Sequence, residues 1–202
     1  MYTPHEFVLS DWIACEEIMQ ANSFTQLLTP SEEAGLQISH LPVLYDKRDE
    51  TLMFHLARAN PHCQQLENTS STVVFSAEHG YISPRWSAQV IVPTWNYRAV
   101  HIEGVAVEVT ERDQKLAAMR DMSAHYEALQ ASPWSLDELA TETAAAMLKV
   151  IRVYKMPIAR WCAKAKLSQN KSEAVRHELA EQLSSSSNPY CNLALAALMR
   201  AL

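Results

Sequence analysis

Pro93-Thr94-Trp95-Asn96-Tyr97 runs directly into Arg98-Ala99-Val100-His101-Ile102-Glu103-Gly104-Val105-Ala106-Val107-Glu108-Val109. Pro93 fixes its own φ and biases Val92 toward extended backbone. Trp95 and Tyr97 add two aromatic faces with polar handles, and Asn96 between them both donates and accepts. Beyond them apolar residues alternate with polar ones, first at Val100 and Ile102, then at Val105, Val107 and Val109. A one-residue phase change at a glycine is the mark of a β-bulge, because the side-chain period of a strand is two. The stretch predicts one long strand bent at Gly104, as a barrel requires.

The rest of the chain reads outward from that strand. Ser10 or Asp11 caps a helix carrying Trp12, Cys15, Ile18 and Met19 on one side. A short strand at 24–29 stops at Pro30. Residues 35–44 and 51–56 form a hairpin around the polar turn 46–50. Asn60-Pro61 opens a short helix through Leu66. Strands follow at 71–75 and 81–84. Helices are expected at 112–129, at 135–148 behind the capping box Ser135-Leu-Asp-Glu138, at 172–183, and from Asn188-Pro189 to Leu202. A last strand covers 149–158. Clustered strands argue for an α+β protein, mainly β, with an antiparallel sheet or barrel rather than a doubly wound one.

Composition removes several functions. The 202 residues are 48% hydrophobic, ordinary for a globular chain with a sizeable core. Three scattered glycines (Gly35, Gly80, Gly104) exclude a dinucleotide fingerprint, a Walker A loop and a GxSxG elbow, which need clustered glycines. Any phosphate must then be held by side chains and ordinary amides. The four cysteines (15, 63, 162, 191) lack CxxC or framework spacing and read as reduced thiols of a cytoplasmic protein. No basic-then-apolar leader opens the chain, and no apolar run is long enough to span a membrane. Histidines and cysteines show no zinc spacing, so no metal site is expected.

Net charge is −6, which argues against a polyanion binder overall. Eight of the 17 basic residues nevertheless fall between Lys149 and His177, beside only one of the 23 acids, Glu173. That imbalance points to a positive patch that meets an anion, or to a face paired with acids from elsewhere in the fold. Three polar corners stand out: Ser39-His40 inside a strand, His55 with Arg58 and Asn60 at a strand end entering a helix, and Lys166-Leu-Ser-Gln-Asn-Lys171. An arginine near a helix N-terminus suits a phosphate. Ser168, Gln169 and Asn170 can read the edge of a planar ring. No nucleophile–base arrangement is legible, so no catalytic residue is assigned.

The segments Ser39-His40-Leu41-Pro42, His55-Leu-Ala-Arg-Ala-Asn-Pro61, Tyr81-Ile-Ser-Pro84, Val92-Pro-Thr-Trp-Asn-Tyr97 and Lys166-Leu-Ser-Gln-Asn-Lys171 resemble, in order and spacing, those of the PaiB-like, FMN-binding split-barrel proteins. The resemblance covers residues 1–183; the Ser-rich joint and helix at 184–202 lie outside it. It implies a six-stranded antiparallel split β-barrel with flanking helices, a homodimer, and FMN at the dimer interface. By the same likeness Arg58 anchors the flavin phosphate, with His55 and Asn60 beside it. Ser39 and His40 line the flavin edge, and Trp95, Asn96, Lys166, Ser168, Gln169 and Asn170 complete the pocket. The implied activity is that of a flavin reductase or related oxidoreductase, with NAD(P)H as a possible donor. The alternative is a negative transcriptional regulator that binds DNA, with FMN as ligand or absent.

Overall fold

The computed structural model describes residues 1–33 and 35–202. Among the described residues there are eight strands: β1 (Phe24–Ser31), β2 (Gly35–Asp46), β3 (Thr51–Ala57), β4 (Ser70–Ile82), β5 (Thr94–Val105), β6 (Val107–Val109), β7 (Ile151–Pro157) and β8 (Arg160–Lys166). They are hydrogen-bonded in the order β6-β7-β3-β2-β1-β4-β5-β8. The pairs β1–β2, β1–β4, β2–β3, β3–β7 and β6–β7 are antiparallel. Six helices accompany them: α1 (Trp12–Ala21), α2 (His62–Gln65), α3 (Arg112–Glu127), α4 (Thr141–Lys149), α5 (Glu173–Ser184) and α6 (Leu193–Arg200). The chain divides into two compact units. One holds residues 1–22, 75–101 and 162–202; the other holds 23–74 and 102–161. The mainly antiparallel β architecture agrees with the reading of the sequence.

Eight strands replace the six expected. The stretches 71–75 and 81–84 are two ends of one 13-residue strand, β4. The strand β8 was hidden in the basic segment, where lysines mask the alternation. The long strand does not shift phase at Gly104. Residues 100, 102, 104 and 106 all point inward, Val105 and Val107 are exposed, and the ladder breaks at Ala106. Gly104 is there for space instead: a Cβ would stand 2.2 Å from the Pro157 carbonyl oxygen. Pro30 does not end β1. It pairs with Leu36 at a position where β1 has no second neighbour, so its missing N–H costs nothing.

In the unit of 23–74 and 102–161, α3 lies on a core of Leu44, Met53, Val109, Ala118, Met122 and Val153. The Ser135–Glu138 capping box is present, but it closes a 3-10 turn (Leu136–Glu138), and α4 starts later, at Thr141. Opposite residues of β1 and β2 share a face. Thr25, Leu27, Thr29, Ser39 and Leu41 turn inward, while Phe24, Leu36, Ile38 and His40 stay exposed.

In the other unit, α5 and α6 pack on Ile82 through Val175, Leu179, Leu183, Leu195 and Met199. Asp11 caps α1, one of the two caps read from the sequence, and Ser172, read there as the first residue of a helix, is the cap of α5. The last helix starts at Leu193 under an Asn192 cap, later than Asn188-Pro189 suggested. Lys164 of β8 is buried. Its Nζ lies 5.2 Å from the Tyr97 ring centre and 5.9 Å from those of Tyr2 and Phe7, and it donates to the Tyr2 carbonyl at 3.2 Å. No helix among the described residues is long and apolar enough to cross a membrane.

Candidate functional site

The β2–β3 hairpin and α2 gather the first group of polar side chains. Asn60 Oδ1 accepts from the His62 amide at 3.0 Å, capping α2. That turn places the His62 ring between two strands. Its Nδ1 lies 2.7 Å from Ser39 Oγ, and its Nε2 lies 2.7 Å from Thr29 Oγ1. Thr29 in turn meets Ser71 Oγ at 2.8 Å, and Asn60 Nδ2 reaches Ser39 Oγ at 3.5 Å. A relay of hydroxyls therefore runs from half-buried Ser39 into the core through a histidine that is 1% exposed. Burial lowers the pKa of His62 below the ordinary 6.5, which keeps the ring neutral and able to both donate and accept. His40, one residue along β2, points to the opposite, exposed face. His55 sits on the β3 face that packs toward α3; among the described residues its buried Nδ1 has no hydrogen-bond partner, and burial lowers its pKa too.

Arg58 lies just beyond β3. Its Nε donates to the Lys149 carbonyl at 2.8 Å and its NH2 to the Ile151 carbonyl at 3.3 Å, which fixes the plane of the guanidinium. Beside it opens a cavity of about 260 Å³, lined by Arg58, Arg112, Lys115 and Lys149 together with Thr110 and apolar side chains of α4. The described lining residues carry four positive charges and no carboxylate, although Lys115 also pairs with Glu108 at 3.5 Å. The N-terminus of α3 begins at this wall, and its N-cap, Glu111, makes no side-chain capping bond. Arg112 and Lys115 in the first turn of α3 oppose the helix macrodipole. Asp113 in the same turn offsets this in part, and the basic pair flanking it was the sequence signal for the residues that line the cavity with Arg58.

A family model described as "Putative FMN-binding domain" matches residues 1–160. Over 192 residues the chain is 32% identical to the protease synthase and sporulation protein PAI 2 of Bacillus subtilis (strain 168), covering 94% of this chain and 92% of that one. The chain belongs to this FMN-binding family. Two solved structures share the fold. The flavocytochrome Anf3 from Azotobacter vinelandii gives a TM-score of 0.61 at 16% identity, over 80% of this chain and 70% of that one. The FAD and heme binding protein from Mycobacterium smegmatis gives 0.63 at 13%, over 83% and 78%. FMN is the cofactor that membership of the family assigns. The chemistry of the donor set fits its phosphate, because an FMN-binding chain without a glycine-rich loop needs side-chain cations, and the cavity at Arg58 supplies them.

The remaining residues expected in an FMN-binding site lie in the other unit. Trp95 is 51% exposed; its ring tilts against His79 and meets Tyr81 edge-on. Tyr81 also meets Trp86 and Tyr190, two rings absent from the sequence reading of the site. Asn96 is fully buried. Its Nδ2 donates to Ser168 Oγ at 2.9 Å and lies 3.4 Å from Met199 Sδ. Ser168 adopts φ +63 at the turn after β8, and Gln169 folds back on that turn, with Oε1 accepting from the Leu167 amide at 2.7 Å. These three side chains therefore hold a loop in shape. Lys166 hydrogen-bonds Thr94, and burial, then Lys164, lower its pKa; Asn170 is exposed.

Proposed function

We propose that the chain is an FMN-dependent oxidoreductase of the flavin-reductase type, a homodimer whose sheet is a split barrel. The cationic cavity at Arg58 carries this reading. Arg58, Arg112, Lys115 and Lys149 would hold the phosphate, which is a dianion near neutral pH, and the free amides of the α3 N-terminus add to the same field. Ser39, His40, His55 and Asn60 are proposed for polar groups further along the cofactor. In the other unit the proposal keeps Trp95, Lys166 and Asn170, while Asn96, Ser168 and Gln169 position the loop that carries the last two. Bound FMN supplies hydride and single-electron transfer, and the protein supplies position and electrostatics. NAD(P)H is the proposed donor. The exposed apolar face of Phe24, Leu36 and Ile38, which also carries His40, supports a second copy of this chain as the dimer partner.

DNA binding, the alternative, draws support from the word "sporulation" in the name of the Bacillus subtilis relative. The basic segment weakens it. Lys155 pairs with Asp49, Arg160 with Glu103, and Arg152 with Glu108 at 3.5 Å, so much of the local positive charge is already matched.

The test is the visible spectrum of protein mixed with FMN and desalted. Retained flavin is expected, with affinity falling about 10-fold or more in Arg58→Ala and Lys115→Ala, the cost of a lost charge-assisted contact. Unchanged flavin content in both variants would remove the phosphate assignment. NAD(P)H oxidation no faster than with free FMN would remove the reductase.

A further inference from the structure

Arg152 and Tyr154 alternate along β7 with Val153, which packs beneath α3, so both face the other side of the strand. There they border a second cavity, of about 380 Å³, with Cys63, Glu67, Glu108 and a wall from Val105 to Val107. Its volume is that of a small-molecule site. Tyr154 is 3% exposed, its ring stacked on Phe54 at 5.4 Å. Among the described residues, neither Tyr154 Oη nor Arg152 Nε has a hydrogen-bond partner of good geometry, although the Arg152 guanidinium and the Cys63 thiol both lie near the hydroxyl. Buried donors without partners are costly, and folded chains rarely keep them without a use. Burial, and after it the neighbouring Cys63 thiol, push the Tyr154 hydroxyl well above its ordinary pKa, so it stays a donor.

The lining thus offers two donors together with two carboxylates, Glu108 opposite Tyr154 in the β6–β7 ladder and Glu67 at an exposed position. Glu108 spreads its charge over Lys115 and Arg152, each 3.5 Å away, and Glu67 stands exposed at the mouth. A carboxylate ligand would bring a third negative charge beside these acids. An amine would leave Arg152 Nε unpaired, since a guanidinium cannot accept. A neutral group that presents C=O beside N–H satisfies both rows at once.

We propose that this cavity binds the edge of a carboxamide or cyclic imide, its carbonyl on Tyr154 and Arg152 and its N–H toward Glu108 or Glu67. Two sources carry that edge: the pyrimidine ring of the flavin itself, or a separate small amide. The cavity shares only Thr110 with the cationic one, and the site does not depend on where the phosphate lies.

Nicotinamide and uracil serve as probes, titrated by ligand-observed NMR against FMN-free and FMN-loaded protein and against Tyr154→Phe. Wild type is expected to bind at least one probe. Tyr154→Phe should weaken it about 10-fold while leaving Tm nearly unchanged, because the hydroxyl it deletes makes no hydrogen bond of good geometry among the described residues. Binding that survives FMN loading identifies a separate amide ligand. Competition by FMN, with weaker FMN binding in Tyr154→Phe, identifies the flavin's own edge. Failure of both probes on both forms overturns the proposal, as does equal binding by wild type and variant. If Tyr154→Phe does not fold, Glu67→Ala at the exposed mouth carries the same comparison.

Discussion

Gly104 admits no side chain, because the position a Cβ would take lies 2.2 Å from a backbone oxygen rather than from a flexible side-chain tip. Gly104→Ala should cost about 3 kcal/mol, at the upper end of overpacking, measured by urea unfolding. A change under about 0.5 kcal/mol would mean that the Pro157 strand end moves freely. His62 makes a prediction of opposite character. Its folded pKa is lowered by burial, so the unfolded chain takes up the proton first, and stability is lost as pH falls below about 6.5. His55, lowered in the same direction, adds to that slope. His62→Gln should flatten part of the stability–pH curve between pH 7 and the acid limb; an identical slope in the variant would show that the ring does not titrate on unfolding. The thiols divide likewise. Burial, then Asp11, push Cys15 up to about 11, Cys63 is buried, and Cys191 is exposed. Ellman's reagent should modify Cys191 first and Cys15 only on unfolding.

The helix α6 is apolar on one side, with Leu195, Ala196 and Met199 wholly buried against α5 and Ile82. Leu195 fits so closely over Gly80 that a Cβ there would lie 2.9 Å from its methyl group. Leu195→Ala should cost about 2–5 kcal/mol by thermal denaturation, and a loss below about 1 kcal/mol would show that the helix is loosely seated. Local chemistry made most such elements legible. Asp11 and Asn60 announced helix starts because a side-chain oxygen must satisfy free amides there. The β2–β3 hairpin showed in its polar turn. What failed depended on distant partners. Nothing local in β8 says that Lys164 is buried under aromatic rings, so its alternation read as charge. Nothing near Gly104 says that Pro157 approaches it. In the candidate site, Arg58 and Asn60 were recognisable, whereas His62 was passed over because its partners, Thr29 and Ser39, lie more than 20 residues away.

For the complete chain, the dimer proposal predicts a sedimentation mass twice that of one chain. A charged substitution on the exposed β1–β2 face, such as Ile38→Lys, should return it to one. A wild-type protein that sediments as a single chain at micromolar concentration would end that proposal. Lys164 carries a different consequence. Among the described residues its ammonium takes one of its rings from Tyr2 and donates to the Tyr2 carbonyl. Any displacement of the segment around Tyr2 would take away that ring and that acceptor together and leave the charge beside Tyr97 and Phe7 less well covered. The buried ammonium thus works as a rivet between the segment around Tyr2 and β8, so the two should loosen together rather than one at a time.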